Sequence, residues 1–233
     1  MDWRQTLYSA IEDHHCDVLK KYRPHPRRLV YSDYLGGMKE NRQDTRSHIL
    51  SVGRGLTARW GYSGVGLSEL LKEAGVPKGS FYHYFPSKEA YGCALLTEFV
   101  TEYRDKLSAT LAHPTLDARS RFLAYFAEWH RKQISAVPED RCLVVRLSAE
   151  VADLSVDMST ILQSGVNEII AALADTLRQG IAEGSIAALD NPEAMAELIY
   201  HQWLGASLVA SISHEDAPFK AAMRATQALI PPP

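Results

Sequence analysis

The sequence predicts an all-α fold, a three-helix domain followed by a larger helical bundle, and three observations carry that prediction. Beyond residue 44, apolar residues recur at the three- and four-residue spacing that gives a helix one buried face. These runs are bounded by residues that start and stop helices: Ser87, Ser155 and Pro192 at beginnings, Gly61, Gly75 and Gly184 at ends. Residues 67–88, LSELLKEAGVPKGSFYHYFPSK, further read as two short helices joined by a tight glycine turn.

In the first of these short helices, Leu67, Leu70, Leu71 and Ala74 share a face. Gly75 ends it, because the left-handed conformation after a helix costs glycine almost nothing. Val76 plugs the corner, and Pro77 suits the first turn of the next helix, where a missing N–H loses no partner. That second helix, residues 78–85, has the composition of a surface pressed on a nucleic-acid backbone. Lys78, Ser80, Tyr82, His83 and Tyr84 supply donors, and Gly79 removes a side chain where backbone N–H groups can approach a phosphate. Phe81 and Phe85, four apart, anchor it on a core. Ser87 reads as the N-cap of a longer helix, which places Lys88 in a first turn where a cation is unfavourable, so an external phosphate explains it. Ser68 reads either as an N-cap or as a phosphate contact. Tyr82, His83 and Tyr84 also admit a blander reading as an aromatic patch of a small core.

The remaining helices follow in order. Residues 44–60 form a supporting helix with Ile49, Leu50, Val52, Leu56 and Trp60 inward, stopped by Gly61; Arg42 and Arg46 stand near its start, within reach of DNA phosphates. Residues 87–112 carry Tyr91, Leu95, Phe99, Tyr103, Leu107 and Leu111 at every fourth position and link the two domains. Residues 116–136 bring in Phe122, Leu123, Phe126, Trp129 and Ile134, closed by Pro138. A short helix at 141–153 precedes one capped by Ser155, striped by Met158, Ile161, Leu162, Val166, Ile169, Ile170, Leu173 and Leu177 and ended by Gly184. The next, started by Asp190 or Asn191 with Pro192, is apolar on two sides: Met195, Leu198, Ile199, Trp203 and Ala206 on one, Leu204, Leu208 and Ile212 on the other. A helix of that kind needs covering twice, by its own domain and by a second copy, and a last helix at 218–230 completes a four-helix homodimer interface.

Charge is distributed to match. The chain of 233 residues carries a formal net charge of -3, but residues 38–90 hold 8 Lys+Arg against 5 Asp+Glu, a net of +3, and residues 91–233 hold 11 against 18, a net of -7. A basic headpiece on an acidic body orients a molecule toward DNA. The absence of an apolar run of about 18 residues or a signal-type hydrophobic core predicts a cytoplasmic protein without a membrane partner. Cys16, Cys93 and Cys142 form no CxxC pair, and the nine histidines are scattered, so neither disulfide, metal nor other cofactor is expected.

AGVPKGSFYHYFPSKEAY resembles the signature of the TetR family of one-component transcriptional regulators. The resemblance implies an all-helical homodimer with a three-helix DNA-binding domain and a ligand-binding and dimerisation domain behind it. Carried over by position, Ser68, Lys78, Gly79, Ser80, Tyr82, His83, Tyr84 and Lys88 fall at the family's DNA-contacting places. The organisation expected is an N-terminal extension at 1–37, the helix-turn-helix domain at 38–88 and the sensing and dimerisation domain at 89–233. Double-stranded operator DNA is the expected partner, with two recognition helices about 34 Å apart in successive major grooves. Repression and release by a small-molecule inducer are what the resemblance implies.

Two regions stay open. Cys142 lies in PEDRCLVVRLSAEVADL, in the first turn of a short helix, with Arg141 adjacent and Arg146 four residues on; a helix N-terminus and cations favour the reactive thiolate. With GLSELLKEAGVPKGSFYHYF, CLVVRLSAEVADLSVDM resembles a NemR/AcuR-like, electrophile-responsive branch of the family, which implies that Cys142 occupies a sensor position. A buried structural thiol is the competing reading. Phe99, Tyr103, Phe126, Trp129, Tyr200 and Trp203 either line a ligand pocket or form plain core. An enzyme built on Cys142 with His130 or His201 is the rival class, unsupported by any phosphate loop, paired carboxylates or metal spacing; a helical interaction module is another. The extension 1–37 reads as a start placed too early, an arm with Arg23, Arg27 and Arg28 in the minor groove, or an extra helix.

Overall fold

The computed structural model describes residues 35–137 and 142–233, with side chains described from residue 45 onward. The N-terminal extension with Cys16 and its arginines, the Arg42 side chain and residues 138–141, including Arg141, lie outside the described residues. Nine helices run through the described residues: α1 Leu35–Gly64, α2 Leu67–Ala74, α3 Lys78–Tyr84, α4 Lys88–Leu111, α5 Ala118–Gln133, α6 Leu143–Leu154, α7 Val156–Glu183, α8 Pro192–Ser213 and α9 Ala217–Leu229. No strand occurs among these residues. They divide into two compact units, the first ending at Leu95 and the second running Leu96–Pro233.

In the first unit, α1 breaks at Gly61, where φ is 76° and ψ 168°. Its inward face is Ile49, Leu50, Gly53, Leu56 and Thr57. Trp60, expected to point inward, is 60 % exposed although it continues the Gly53, Leu56 and Thr57 stripe; it is the residue before the Gly61 break, where the stripe runs out. At Gly53, α1 approaches Tyr91 so closely that a Cβ would fall on its hydroxyl. Gly75 adopts φ 64°, and the N–H groups of Gly75 and Val76 donate to the Lys72 and Leu71 carbonyl oxygens, closing α2. His48 Nε2 donates to the Ala74 carbonyl oxygen at 3.0 Å, tying the end of α2 to α1.

Expected caps are found in the second unit. The Ser155 hydroxyl accepts from the Met158 N–H at 3.2 Å, the Asn191 side chain from the Ala194 N–H at 2.9 Å, and Gly184 ends α7 at φ 77°. Asp117 caps α5 by accepting from the Ser120 N–H at 2.7 Å, so this helix begins at Ala118 rather than at residue 116. Ile134 follows its end and is 54 % exposed, not inward, because α5 stops at Gln133 and the chain turns out of register. Phe122, Phe126, Trp129, Leu173, Leu177, Ile199, Tyr200, Trp203 and Phe219 form one buried cluster from α5, α7, α8 and α9. Leu198, grouped in the sequence with Ile199 and Trp203 on one side of α8, lies instead on the exposed side with Leu208, Val209 and Ile212.

Candidate nucleic-acid interface and thiol site

Helix α3 is seated by three rings. Phe81 and Phe85 are buried, with centroids 5.2 Å apart, and Tyr91 from α4 meets them at 5.6 and 5.3 Å. Pro77 is the residue before α3 rather than inside its first turn; its carbonyl accepts from the Ser80 N–H at 2.9 Å. With the inner face fixed, Lys78, Gly79, Tyr82 and His83 are exposed, and Ser80, Tyr84 and Lys88 half-buried. Lys78 Nζ lies 5.8 Å from the Tyr82 ring centroid, so the cation and the aromatic edge share one patch. A Cβ at Gly79 would meet nothing within 4 Å. The fold itself thus gives no reason for glycine in a helix that alanine would stabilise by about 1 kcal/mol.

Ser68 is exposed and is not a cap: Gly66 occupies that position and Ser68 is the second residue of α2. Arg46 on α1 is exposed with its guanidinium 5.5 Å from the Phe85 ring centroid. Ser87 does cap α4, accepting from the Ala90 N–H at 3.0 Å. Lys88 has an internal partner that its segment did not disclose. Its Nζ lies 4.9 Å from the Tyr62 ring centroid and 3.4 Å from the Tyr62 carbonyl oxygen. Tyr62, 26 residues away in sequence, is a positioning residue no local pattern could reveal.

Cys142 is the N-cap of α6, one position before its first turn, and its N–H donates to Gln133 Oε1 at 3.3 Å. Arg146, exposed, donates only its backbone N–H to the Cys142 carbonyl oxygen. Burial raises the Cys142 thiol above its ordinary range; the Val144 and Val145 N–H groups and Lys132 pull the other way without prevailing. The expectation of a thiol lowered by its helix start is therefore corrected: desolvation wins.

The six aromatics separate into two groups. Phe126, Trp129 and Trp203 are core, with Phe126 and Trp203 stacked at 4.8 Å and both indole N–H groups satisfied, by Ser207 at 3.0 Å and Thr226 at 2.9 Å. Phe99 is buried beside Tyr103. Burial pushes the Tyr103 and Tyr200 phenols up, with a smaller electrostatic contribution from Cys142. Tyr125, outside the aromatic set expected from the sequence, joins them through a 2.8 Å hydroxyl pairing with Tyr103. The i, i+3, i+4, i+7 set Phe122, Tyr125, Phe126 and Trp129 is the signal that marks it. Among the described residues, no group of three or more His, Cys, Asp and Glu is arranged to hold a metal, and no helix is long and apolar enough to cross a membrane.

A ring-anchored second helix with its cationic and hydroxyl-bearing face turned out, on a helical body, defines a helix-turn-helix transcriptional regulator. Residues 49–90 match the family described as bacterial regulatory proteins, tetR family, and residues 118–226 match the tetracyclin repressor-like C-terminal domain. The chain is 40 % identical over 195 residues to the HTH-type transcriptional repressor NemR of Escherichia coli (strain K12), covering 84 % of this chain and 98 % of that protein. It is 30 % identical to the HTH-type transcriptional repressor DhaR of Mycobacterium sp. (strain GP1), over 76 % of this chain and 87 % of the relative. The crystal structure of the reduced form of E. coli NemR superposes with a TM-score of 0.78, covering 82 % of this chain and 98 % of that one. The chain belongs to the TetR family.

Proposed function

We propose that this protein is a cytoplasmic, non-enzymatic repressor that binds a palindromic operator as a homodimer and is released by a small electrophile or oxidant reacting at Cys142. The observation that carries the DNA-binding half is the outward face of α3: Lys78, Gly79, Tyr82 and His83 are exposed while Phe81 and Phe85 are locked beneath them. Ser80, Tyr84 and Lys88, half-buried, and Ser68 and Arg46, exposed, are read with Arg42 as the accompanying phosphate contacts. The domain at 38–88 is read as the headpiece and 89–233 as the sensing and dimerisation body. The outer α8 face, with Leu198, Leu208, Val209 and Ile212 exposed, supplies the apolar surface a second copy would cover.

Sensing at Cys142 is supported by the likeness to NemR, a repressor by name, and by the place of the half-buried thiol at the start of α6. The test is a gel-shift with the DNA flanking the protein's own gene. Wild type and Cys142→Ser bind it equally, and N-ethylmaleimide releases only the wild type; equal release from both removes Cys142 from the mechanism.

A further inference from the structure

The exposed indole of Trp60 and the Lys88 ammonium stand at the same end of the first unit. Two contacts fix the direction of α1 against α4. At Gly53, α1 touches Tyr91, since a Cβ there would fall on the Tyr91 hydroxyl; further along, Tyr62 donates its hydroxyl to the Lys88 carbonyl oxygen at 2.6 Å and accepts from Lys88 Nζ at 3.4 Å. The helices therefore run antiparallel, and the Gly61 break lies beside the first turn of α4. Trp60 continues the Gly53, Leu56 and Thr57 stripe, so its side chain leaves α1 on the core-facing side but past Thr57, the last buried residue of that stripe. The indole overhangs the end of the unit. Around it the surface is nearly bare of side chains: Ser63, Gly64 and Gly66 are exposed, a Cβ at Gly64 would meet only the Trp60 Cβ, at 3.3 Å, and one at Gly66 would meet nothing within 4 Å. The Tyr62 carbonyl oxygen that faces Lys88 also accepts from the Val65 N–H at 3.4 Å, so the ammonium, the bare segment and Trp60 form one patch. Only Phe85, Pro86 and Ser87 separate α3 from Lys88, which makes the patch continuous with the outward face of α3.

A large ring with one N–H, left in water beside a seated cation, suits an occupant that is apolar and anionic at once. The sugar–phosphate backbone of duplex DNA is such an occupant: deoxyribose offers an apolar flank, and phosphate oxygens accept from both an ammonium and an indole N–H. The net charge of +3 over residues 38–90 favours the same partner. We propose that Trp60 is a further DNA-binding residue, whose ring lies against a deoxyribose and whose Nε1–H donates to a phosphate oxygen next to the phosphate held by Lys88. The inference rests on the operator-binding reading above and extends that interface from α3 and Lys88 to the end of α1. Such a contact sets the position of the protein along the backbone and reads no base.

The test titrates two labelled duplexes with the full chain and follows anisotropy: the DNA flanking the protein's own gene, and an unrelated sequence of the same length. Trp60→Ala is expected to weaken binding to both by about tenfold, the size of losing one hydrogen bond to a charged oxygen, and to keep the ratio of the two affinities within about 2-fold. Trp60→Phe, which keeps a ring and loses the donor, is expected to fall between wild type and Trp60→Ala. Because the indole carries no charge, the slope of log affinity against log salt stays as in the wild type, whereas Lys88→Ala lowers it. The melting temperature of Trp60→Ala is expected to hold, since the ring lies outside the packed part of α1. Unchanged affinity for both duplexes overturns the assignment and leaves operator binding by α3 standing. An affinity loss that tracks a fall in melting temperature overturns it as well, by making Trp60 structural. A shift from dimer to monomer in Trp60→Ala, read by sedimentation, would assign the ring to a second copy instead. If the wild type binds neither duplex, the operator-binding reading falls and this inference with it.

Discussion

The Tyr62 hydroxyl donates to the Lys88 carbonyl oxygen at 2.6 Å while the Lys88 ammonium lies 3.4 Å from the Tyr62 carbonyl oxygen and 4.9 Å from its ring centroid. These contacts join the segment after the Gly61 break to the first turn of α4 and hold a cation whose position the helix dipole opposes. Burial raises the Tyr62 phenol far above its usual value, so it remains a donor across the working pH range. Tyr62→Phe, which keeps the ring and removes the donor, is expected to cost about 1 kcal/mol in denaturant unfolding. Operator affinity falls with it, since Lys88 loses its support. A variant of unchanged stability and affinity would show that the paired contacts position nothing.

Gly53 and Tyr91 make a second testable pair. A Cβ at residue 53 would meet the Tyr91 hydroxyl and ring and then Leu70 at 3.2 Å. Gly53→Ala is therefore expected to destabilise by about 1–3 kcal/mol, the usual range for overpacking a core. Tyr91→Phe should recover part of this loss, because the buried Tyr91 hydroxyl has no hydrogen-bond partner among the described residues and is the nearest obstacle. Additive effects in the double variant would contradict that geometry.

Salt dependence separates phosphate contacts from packing on α3. Lys78→Ala leaves the Phe81, Phe85 and Tyr91 seat untouched, so the melting temperature should hold. The slope of log affinity against log salt should fall by about 0.9 for each phosphate deprived of its cation, roughly 1.8 for a dimer. A steeper drop in affinity with an unchanged slope would assign Lys78 to base reading or to structure.

The pH response of Cys142 follows from the sign of its shift. Its folded value is raised above the unfolded one, so the neutral thiol is favoured in the fold. The matching stability is fully present below the unfolded pKa, near 8.5 for an ordinary thiol, and is lost as pH rises through the folded value. Methanethiosulfonate labelling should accordingly rise about tenfold per pH unit from pH 7 to 9 without levelling. A plateau near pH 7 would indicate a lowered thiol and a stronger helix-start effect than the site displays.

Much of this architecture is written locally. The Gly75 turn, the Ser87, Ser155 and Asn191 caps and the Phe81 and Phe85 anchors depend on neighbours within four residues, and the sequence displays them. Features that depend on tertiary approach did not show. Trp60 fits the helical stripe of Gly53, Leu56 and Thr57 but is exposed because it stands at the Gly61 break, beyond the part of α1 that is packed. Leu198 fits either face of a helix that is apolar on two sides, and only packing assigns it. The Cys142 thiol illustrates the same limit: its sequence neighbours include cations, whereas burial, which the sequence does not display, raises its pKa and outweighs the N–H groups at the start of α6.

The most direct measurement is fluorescence anisotropy of labelled DNA flanking the protein's own gene, titrated with wild type and Cys142→Ser before and after N-ethylmaleimide. The expected result is binding by both proteins at two protomers per half-site pair, loss of binding by the wild type after treatment, and retention by Cys142→Ser. Absence of sequence-specific binding by the untreated wild type, or identical loss in both proteins, would contradict the account.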